Sequence, residues 1–280
     1  MDAQLIALVL GAAVLHASWN AFVKAVSDRL VTMATMNLTC AVAGLAIVPF
    51  VGLPAPEAWI WLLGSVVIHQ GYYFCLLSAY REGDLSHVYP IARGSAPLLV
   101  ALVSGPMMGE ALSTGQIVGV TLVSLGIAAL MPLRGWTVAR MKPVLYALGT
   151  GATIAAYSVC DASGVRLAGD RIGYIAWLFV IDGLVCLAVA WAWRGRGFIG
   201  RLGHQFGQGV FSGLMSMLGY GIVIWCYSQG AVATIAALRE TSVVFAAFIG
   251  AYMLKEGFGW RRIAAASVVA GGVVVMNLGA

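Results

Sequence analysis

Stretches of about 20 apolar residues follow one another along almost the whole chain, separated by short breaks at charges and at Gly or Pro clusters. A helix of about this length spans the hydrocarbon core of a bilayer. Every face of these stretches is apolar, whereas the strands of a membrane β-barrel alternate polar and apolar residues. The sequence therefore predicts an all-α integral membrane protein with ten transmembrane helices. The predicted spans lie near residues 3–23, 30–51, 58–79, 86–109, 113–133, 143–167, 172–193, 206–229, 231–254 and 258–278.

The composition excludes several other classes of protein. Only 10% of the residues are charged, against roughly a quarter in a soluble domain. The net charge of +5 is scattered between apolar stretches without a continuous basic face, so no nucleic acid partner is expected. The five cysteines lie inside apolar stretches without the spacing of a metal site. We expect no disulfide, no metal and no cofactor.

The basic residues between the spans predict the orientation of the chain. Twelve of the 16 Lys and Arg residues follow odd-numbered spans, and only Arg166 and Arg171 lie in loops on the opposite side. Cytoplasmic loops carry an excess of Lys and Arg. The loops at 134–142 and 194–205 are therefore predicted to be cytoplasmic, and both termini external.

The second half of the chain repeats the first. Residues 80–131 align with residues 227–277. Within this alignment Arg93 and Glu110 are seventeen residues apart, as are Arg239 and Glu256. The repeat also pairs Asp28-Arg29 before the second span with Asp170-Arg171 before the seventh.

This repetition predicts two five-helix units, residues 1–138 and 139–280. An odd number of spans makes the second unit enter the membrane upside down relative to the first. In transporters built from such inverted repeats, the substrate site lies near the bilayer midplane between the repeats. The repeat is the strongest sequence argument for transport.

Three segments carry a resemblance to a known family. They read LHASWNAFVK (15–24), YPIARGSAPLLVALVSGPMMGEALS (89–113) and ALRETSVVFAAFIGAYMLKEGFGWRR (237–262). The chain resembles the drug/metabolite transporter superfamily, in its EamA-like branch of ten-helix exporters. The resemblance implies a basket of helices around a central cavity that moves amino acids, related metabolites or drugs, generally outward. It also implies a multi-pass protein of a bacterial-type inner (plasma) membrane, and we expect a monomer.

Two arginines lie within predicted spans, where an unpaired charge is expensive. Arg93 lies between Pro90 and Pro97, which disturb the helical ladder. An arginine there can hold a carboxylate with two parallel hydrogen bonds, which favours an anionic or zwitterionic cargo over a lipophilic drug. Arg239 of the ninth span lies as deep in the membrane as Arg93 of the fourth, measured from the opposite membrane face. The alternative for both is a structural clamp that pairs with Glu240, Asp161 or helix-end carbonyls, or a side chain that snorkels to the headgroups.

Polar and aromatic side chains form further stripes inside the spans. On the first span they recur at i, i+4 spacing, and on the third and eighth at 3- and 4-residue steps. Packing between helices is the alternative role for the aromatic residues. The predicted substrate-binding residues are His16, Trp19, Asn20, His69, Tyr72, Tyr73, Arg93, Tyr157, Asp161, Tyr220 and Arg239.

A proton is a possible coupling ion, and the sequence assigns it to Asp161. Asn20 is the neutral counterpart of Asp161 in the first half. A fixed pair between Asp161 and an arginine is the alternative. Asp182 ranks below Asp161 because the sequence leaves its helix face undetermined. Close helix packing is expected at small residues, including Gly11, Gly44, Gly119, Gly126, Gly271 and Gly272.

The expected function is secondary transport of small polar metabolites such as amino acids, by export or exchange with alternating access. A multidrug or other metabolite permease of the same superfamily is the first alternative. A membrane enzyme is less favoured, because the chain has no His-Glu-x-x-His zinc helix and no Gly-x-Ser-x-Gly elbow. A scaffold or channel is disfavoured by the inverted repeat. The expected partners are the small-molecule substrate, the lipid bilayer and protons.

Overall fold

The computed structural model describes residues 1–24, 28–83, 85–131, 141–195, 198, 200, 202, 206–246 and 260–278. This part of the chain is helical and contains no strand, which confirms the predicted all-α class. Short 3₁₀ turns at Val48–Phe50 and Pro56–Ala58 join the second helix to the third. The helices are α1 (Ala3–Lys24), α2 (Arg29–Ile47), α3 (Trp59–Glu82), α4 (Leu85–Met108), α5 (Thr114–Ala128), α6 (Met141–Leu167), α7 (Arg171–Arg194), α8 (Phe206–Tyr227), α9 (Val232–Arg239) and α10 (Trp260–Leu278).

Seven of the described helices are long and apolar enough to cross a membrane: α1 to α4 and α6 to α8. Helices α5 and α10 are apolar over shorter lengths. The positions of the helices agree with the predicted spans to within a few residues, except at the ninth. Among the described residues, seven helices meet the criterion of length and apolarity, and the predicted number of ten spans stays a prediction.

The predicted span 231–254 is not one continuous helix. Helix α9 ends at Arg239, Glu240 and Thr241 form a turn, and residues 242 to 246 are helical again. The rest of that span, 247–254, lies outside the described residues, as do most of the predicted loops 134–142 and 194–205. The Thr241 hydroxyl donates to the Leu238 carbonyl at 2.7 Å. Side-chain bonds of this kind let a broken helix persist at membrane depth, where water is not available to satisfy the backbone.

The two Asp residues aligned by the repeat begin equivalent helices. Asp28 caps α2 by accepting from the Val31 N–H at 3.3 Å. Asp170 caps α7 by accepting from the N–H groups of Ile172 and Gly173, each at 3.0 Å. These bonds to backbone N–H groups hold the pKa of Asp170, which lies between two spans, below its ordinary value. The aligned residues therefore perform the same local task in both halves.

The packing of the helices places the middle of several of them around one centre. Helix α3 packs along α6 and α1 packs along α8, while α2 packs against both α7 and α8. Helix α5 packs along α10, and α4 lies against α6, α5 and α9. A continuous apolar core joins these helices through fully buried side chains such as Leu62, Ile127, Leu178, Ile224 and Leu238. The core fills one end of the bundle and leaves polar side chains nearer the centre.

Four of the six glycines singled out above lie at close helix contacts. A Cβ at Gly44 would lie 2.8 Å from the carbonyl oxygen of Ala176 on α7. Gly119 and Gly126 of α5 are similarly tight against α10, and Gly272 of α10 is tight against α5. The expectation does not hold for Gly11 and Gly271 among the residues that the structure describes, since none of their atoms lies within 4 Å of the Cβ position.

The adjacent glycines of α10 give a matched test of this packing. A Cβ at Gly272 would lie 2.9 Å from the Gly119 carbonyl oxygen, while the same position at Gly271 is open. Gly272→Ala is expected to destabilise the protein by about 1–3 kcal/mol through overpacking. Gly271→Ala is expected to be neutral or to stabilise by about 0.5–1 kcal/mol, because alanine is the better helix former. Thermal unfolding in detergent measures both, and equal effects would contradict the close contact.

Candidate functional site

A cavity lined by apolar, aromatic and polar side chains lies between the helices near the middle of the bundle. The space that the centre of a water molecule can occupy in it is about 70 Å³. The lining residues are His16, Trp19, Met33, Met36, Asn37, Cys40, His69, Tyr72, Tyr73, Tyr157, Leu178, Phe179, Asp182, Ser216, Tyr220 and Arg239.

Aromatic rings form much of the cavity wall. The imidazole of His69 stacks on Tyr157, with ring centroids 4.2 Å apart and an interplanar angle of 17°. Tyr72 and Tyr220 each meet Tyr157 edge to face, with centroids 5.7 Å apart. These edge-to-face contacts fix the rings relative to one another. Such a wall of rings offers π faces to a cationic or ring-bearing cargo.

One buried carboxylate serves two buried arginines beside the cavity. Arg93 Nη1 lies 3.3 Å from both carboxylate oxygens of Glu240. Arg239 Nη2 and Nε donate to Glu240 Oε1 at 2.9 and 3.2 Å. Each of the three residues is at most 3% exposed. The cluster therefore carries one excess positive charge, and its Arg239 guanidinium reaches the cavity wall.

His16 connects the arginine cluster to α1. The Nη2 atom of Arg93 contacts His16 Nε2, and the Trp19 indole N–H points to His16 Nδ1 at 3.2 Å. A neutral imidazole has one acceptor nitrogen, so it accepts from one of these donors at a time. His16 and Trp19 both line the cavity.

A second carboxyl group lies on the cavity wall without a cationic partner. Asp182 Oδ1 accepts from Gln70 Nε2 at 2.8 Å, and Asp182 Oδ2 lies 2.9 Å from the Tyr73 hydroxyl. The same hydroxyl is 3.0 Å from Asn37 Oδ1. No ion pair among the described residues includes Asp182. This carboxyl therefore has a place for a proton or for a cationic group of a cargo.

Asp161 is completely buried and is bound by hydroxyl groups. The Tyr174 hydroxyl donates to Asp161 Oδ1 at 3.1 Å, and the Tyr220 hydroxyl donates to Oδ2. No described arginine or lysine pairs with it, so the fixed Asp–Arg pair raised as an alternative does not form. Asp161 does not line the cavity; it fixes the Tyr220 ring that does.

The structure brings most of the residues selected from the sequence into one place. Asn20 is not on the cavity wall, because its side-chain amide donates to the His16 carbonyl of its own helix at 2.8 Å. Arg93 and Asp161 lie one layer behind the wall. The selected residues that line the cavity are His16, Trp19, His69, Tyr72, Tyr73, Tyr157, Tyr220 and Arg239.

The sequence reasoning missed the contribution of α2 and the importance of α7. Asn37 and Cys40 of α2 line the cavity, as do Phe179 and Asp182 of α7. Asn37 is 4% exposed, and an amide in the middle of an otherwise apolar span was the available signal. The sequence identified Asp182 as a candidate but did not determine which face of α7 it occupies.

An ion pair joins several helices at the end of the bundle opposite the start of α2. Arg166 Nη2 donates to Glu110 Oε1 at 2.7 Å and to the Gly230 carbonyl at 2.8 Å, and Arg166 Nε donates to the Tyr227 carbonyl at 2.9 Å. Glu110 Oε2 accepts from the Val232 N–H at 3.0 Å. These bonds tie the ends of α4, α6 and α8 to the beginning of α9. Met33 and Met36, in the first half of α2, are among the residues that line the cavity.

Comparisons with known proteins agree with the resemblance read from the sequence. The model of the EamA-like transporter family matches residues 4–131 and again residues 141–278. One solved protein crystal structure superimposes with a TM-score of 0.75 at 19% identity, covering 99% of this chain and 98% of that chain. At this identity the likeness shows the fold alone. No curated protein sequence matches the chain. The two family matches together span nearly the whole sequence, and the chain belongs to the EamA-like transporter family.

Proposed function

We propose that this transporter carries small zwitterionic metabolites of the amino-acid class through the central cavity. The observation that supports this most directly is that groups of opposite character share one cavity wall. Arg239 brings the excess positive charge of the arginine cluster, and Asp182 brings a carboxyl without a cationic partner. A cargo with a carboxylate and an ammonium group matches both ends, and each charged hydrogen bond contributes about 1.5–3 kcal/mol.

The cargo would lie with its carboxylate at Arg239 and its ammonium group toward Asp182. Between them it would contact the rings of Tyr72, Tyr157 and Tyr220, whose faces also attract cations. Arg93, which the sequence favoured as the carboxylate partner, would support Arg239 by sharing Glu240. It would reach the cargo itself only after releasing His16 or Glu240.

We propose further that ten spans form two inverted repeats, residues 1–138 and 139–280, that move by alternating access. The packing supports this proposal. The repeat relates α1 to α6 and α3 to α8, so it predicts that the α3–α6 contact has a counterpart between α8 and α1. Both of these contacts are extensive. Exchanging the two halves also turns α2 into α7 and α5 into α10, so each of the contacts α2–α7 and α5–α10 is unchanged. A gradient would drive the movement, since the chain has no nucleotide-binding loop.

We place the chain in a bacterial-type inner membrane, as a monomer, with both termini external. In this orientation Met33 and Met36 line the cavity from the cytoplasmic half of α2, while the Arg166–Glu110 pair joins helices at the outer end. That arrangement favours loading from inside and hence export or exchange. The supporting observation is the distribution of the basic residues over the loops.

Exposed residues at the two ends of α3 test this orientation. Glu57 and Arg81 are both exposed, and the proposal places Glu57 outside and Arg81 inside. In intact cells, a membrane-impermeant thiol reagent is expected to label Glu57→Cys but not Arg81→Cys until the cells are opened. The wild-type chain, with its five native cysteines, is the background control. The reverse pattern would invert the proposed orientation.

Counterflow in proteoliposomes tests the proposed substrate class. Vesicles preloaded with one unlabelled amino acid at a time would take up the same labelled amino acid transiently above its outside concentration. At least one small amino acid is expected to show this overshoot, and protein-free vesicles are expected to show none. If no amino acid gives an overshoot while a lipophilic cation does, the chain is a multidrug permease and the proposal is wrong.

A further inference from the structure

The hydrogen-bond network around Asp182 has one donor hydrogen too few when the carboxyl is ionised. A tyrosine hydroxyl has one hydrogen to donate. Tyr73 nevertheless lies within hydrogen-bonding distance of two acceptors, Asp182 Oδ2 at 2.9 Å and Asn37 Oδ1 at 3.0 Å. If Asp182 is ionised, the Tyr73 hydrogen satisfies one of these oxygens and leaves the other without this donor.

A proton on Asp182 Oδ2 completes the network. The carboxyl then donates to the Tyr73 oxygen, Tyr73 donates to Asn37 Oδ1, and Asn37 Nδ2 donates to the Met33 carbonyl at 2.9 Å. Every donor in this chain has one acceptor. Since buried polar groups left without partners cost about 1–3 kcal/mol each, the complete chain is the favoured arrangement of these contacts.

The orientation of both amides in this network follows from backbone carbonyls. The Met33 carbonyl can only accept, so the atom of Asn37 that faces it is the amide nitrogen and the atom that faces Tyr73 is the oxygen. Gln70 Nε2 likewise lies 3.2 Å from the Val66 carbonyl and 2.8 Å from Asp182 Oδ1. Gln70 therefore donates to Oδ1 and leaves Oδ2 as the oxygen that carries the proton.

The formal charges of the buried side chains also favour a protonated Asp182. In the part of the chain that the structure describes, the buried charged residues are Arg93, Arg239, Glu240, Asp161 and Asp182. With Glu240 and Asp161 ionised, their charges cancel those of the two arginines. A proton on Asp182 then makes the empty cavity neutral, whereas an ionised Asp182 adds an unbalanced negative charge at membrane depth, which is costly.

We propose that Asp182 is a proton-binding site of this transporter, with Tyr73, Asn37 and Gln70 as the residues that position its proton. The O–H bond of the carboxyl breaks when a cationic group enters beside it, and the proton leaves to water in the cavity. The carboxylate then binds the cation in place of the proton. This second step rests on the proposed zwitterionic cargo, whereas the proton site itself does not.

Several other titratable or charged groups share the cavity wall with Asp182, including His16 of α1, His69 of α3 and Arg239 of α9. Tyr73 comes from α3, and the thiols of Cys40 on α2 and Cys186 on α7 interact with Asp182 electrostatically. Helices α6 and α8, which also pack against α7, bring Tyr157 and Tyr220 to the same cavity wall.

Asp161, to which the sequence assigned the proton, has a different environment. It accepts from two tyrosine hydroxyls that each have a hydrogen for it, so its ionised form is already satisfied. Because the network of Asp182 is one hydrogen short and that of Asp161 is not, the geometry favours Asp182 as the proton site.

Infrared spectroscopy of the purified protein in detergent, without cargo, tests the site directly. The absorption of protonated carboxyl groups would be followed between about pH 5 and pH 9, the range in which perturbed buried carboxyls titrate. The wild type is expected to lose a component of this absorption as the pH rises. Asp182→Asn is expected to lack that component, while the matched Asp161→Asn keeps it. If Asp182→Asn fails to fold, Asp182→Glu is expected to keep a titrating component at a shifted frequency.

Proteoliposomes with L-alanine, or with another amino acid that passes the counterflow test, measure the coupling. For one-for-one exchange, a gradient of one pH unit is expected to drive about tenfold accumulation by the wild type. Asp182→Asn is expected to reach a ratio of one, and Asp161→Asn to keep the wild-type ratio whatever its rate.

The outcomes separate the two proposals. A titrating component that persists in Asp182→Asn, or that disappears in Asp161→Asn, overturns the proton site. If the wild type shows counterflow but no accumulation in a pH gradient, Asp182 does not couple transport. If the wild type moves no amino acid at all, the proposed function fails and the infrared result alone decides the proton site.

Discussion

Replacing Glu240 by Gln is expected to destabilise the protein by about 3–5 kcal/mol, the usual cost of removing one partner of a buried ion pair. Glu240 is fully buried and is the counterion of both Arg93 and Arg239. Glutamine keeps the shape of the side chain but leaves two guanidinium groups without a counterion. Unfolding in detergent, by heat or by titration with a denaturing detergent, measures the loss.

An exposed ion pair and a double substitution provide the controls. The carboxylate of Glu82 pairs with Lys142 at 2.6 Å, with the two side chains 33% and 60% exposed. Glu82→Gln is expected to cost less than about 1 kcal/mol, as exposed pairs do. Adding Arg93→Gln to Glu240→Gln restores the net charge of the cluster and is expected to recover part of the stability. A Glu240→Gln variant no less stable than Glu82→Gln would contradict the buried cluster.

Replacing Arg239 by Gln is expected to raise the half-saturation concentration for a transported amino acid by about 10- to 100-fold. This corresponds to the loss of a charged hydrogen bond worth about 1.5–3 kcal/mol. The fold should survive better than in Glu240→Gln, because Glu240 keeps Arg93 as its partner. Concentration-dependent counterflow measures the change.

Lysine variants at the two arginines separate their roles. Arg239→Lys keeps the charge at the cavity wall but loses the planar fork that binds a carboxylate. Arg93→Lys alters a residue that contacts Glu240 and His16 behind the wall. The larger rise in half-saturation is therefore expected for Arg239→Lys. A larger rise for Arg93→Lys would identify Arg93 as the direct carboxylate contact, as the sequence suggested.

The helices were predictable because each one must be apolar over its own length. That requirement is local, so it is visible in the sequence for α1 to α8 and for α10. The break after α9 was not predictable, because Glu240 meets its partner Arg93 of α4 only in the folded protein. The first half has Gly94 at the position equivalent to Glu240, so the repeat gave no sign that one carboxylate serves both arginines.

The lining of the cavity was predictable in part, because some of it forms local patterns along single helices. His16 and the tyrosines of α3 and α8 stand out as polar or aromatic stripes on their helices, and they do line the cavity. The network of Asp182 depends on three helices that meet only in the folded protein. Neither Asn37 nor Gln70 shares a motif with Asp182, and only their distances identify them as partners. Sequence periodicity finds faces of helices, whereas the pairing of faces comes from packing.

Inhibition of wild-type counterflow by altered cargo tests most directly whether the cavity binds a zwitterion at both ends. The comparison uses a transported amino acid, its amide, which lacks the carboxylate, and its N-acetyl form, which lacks the ammonium group. Binding at Arg239 and at Asp182 predicts that each altered compound inhibits at least about tenfold more weakly than the parent, since each loses a charged hydrogen bond. If the amide and the N-acetyl compound both inhibit as well as the amino acid, the cavity does not recognise a zwitterion.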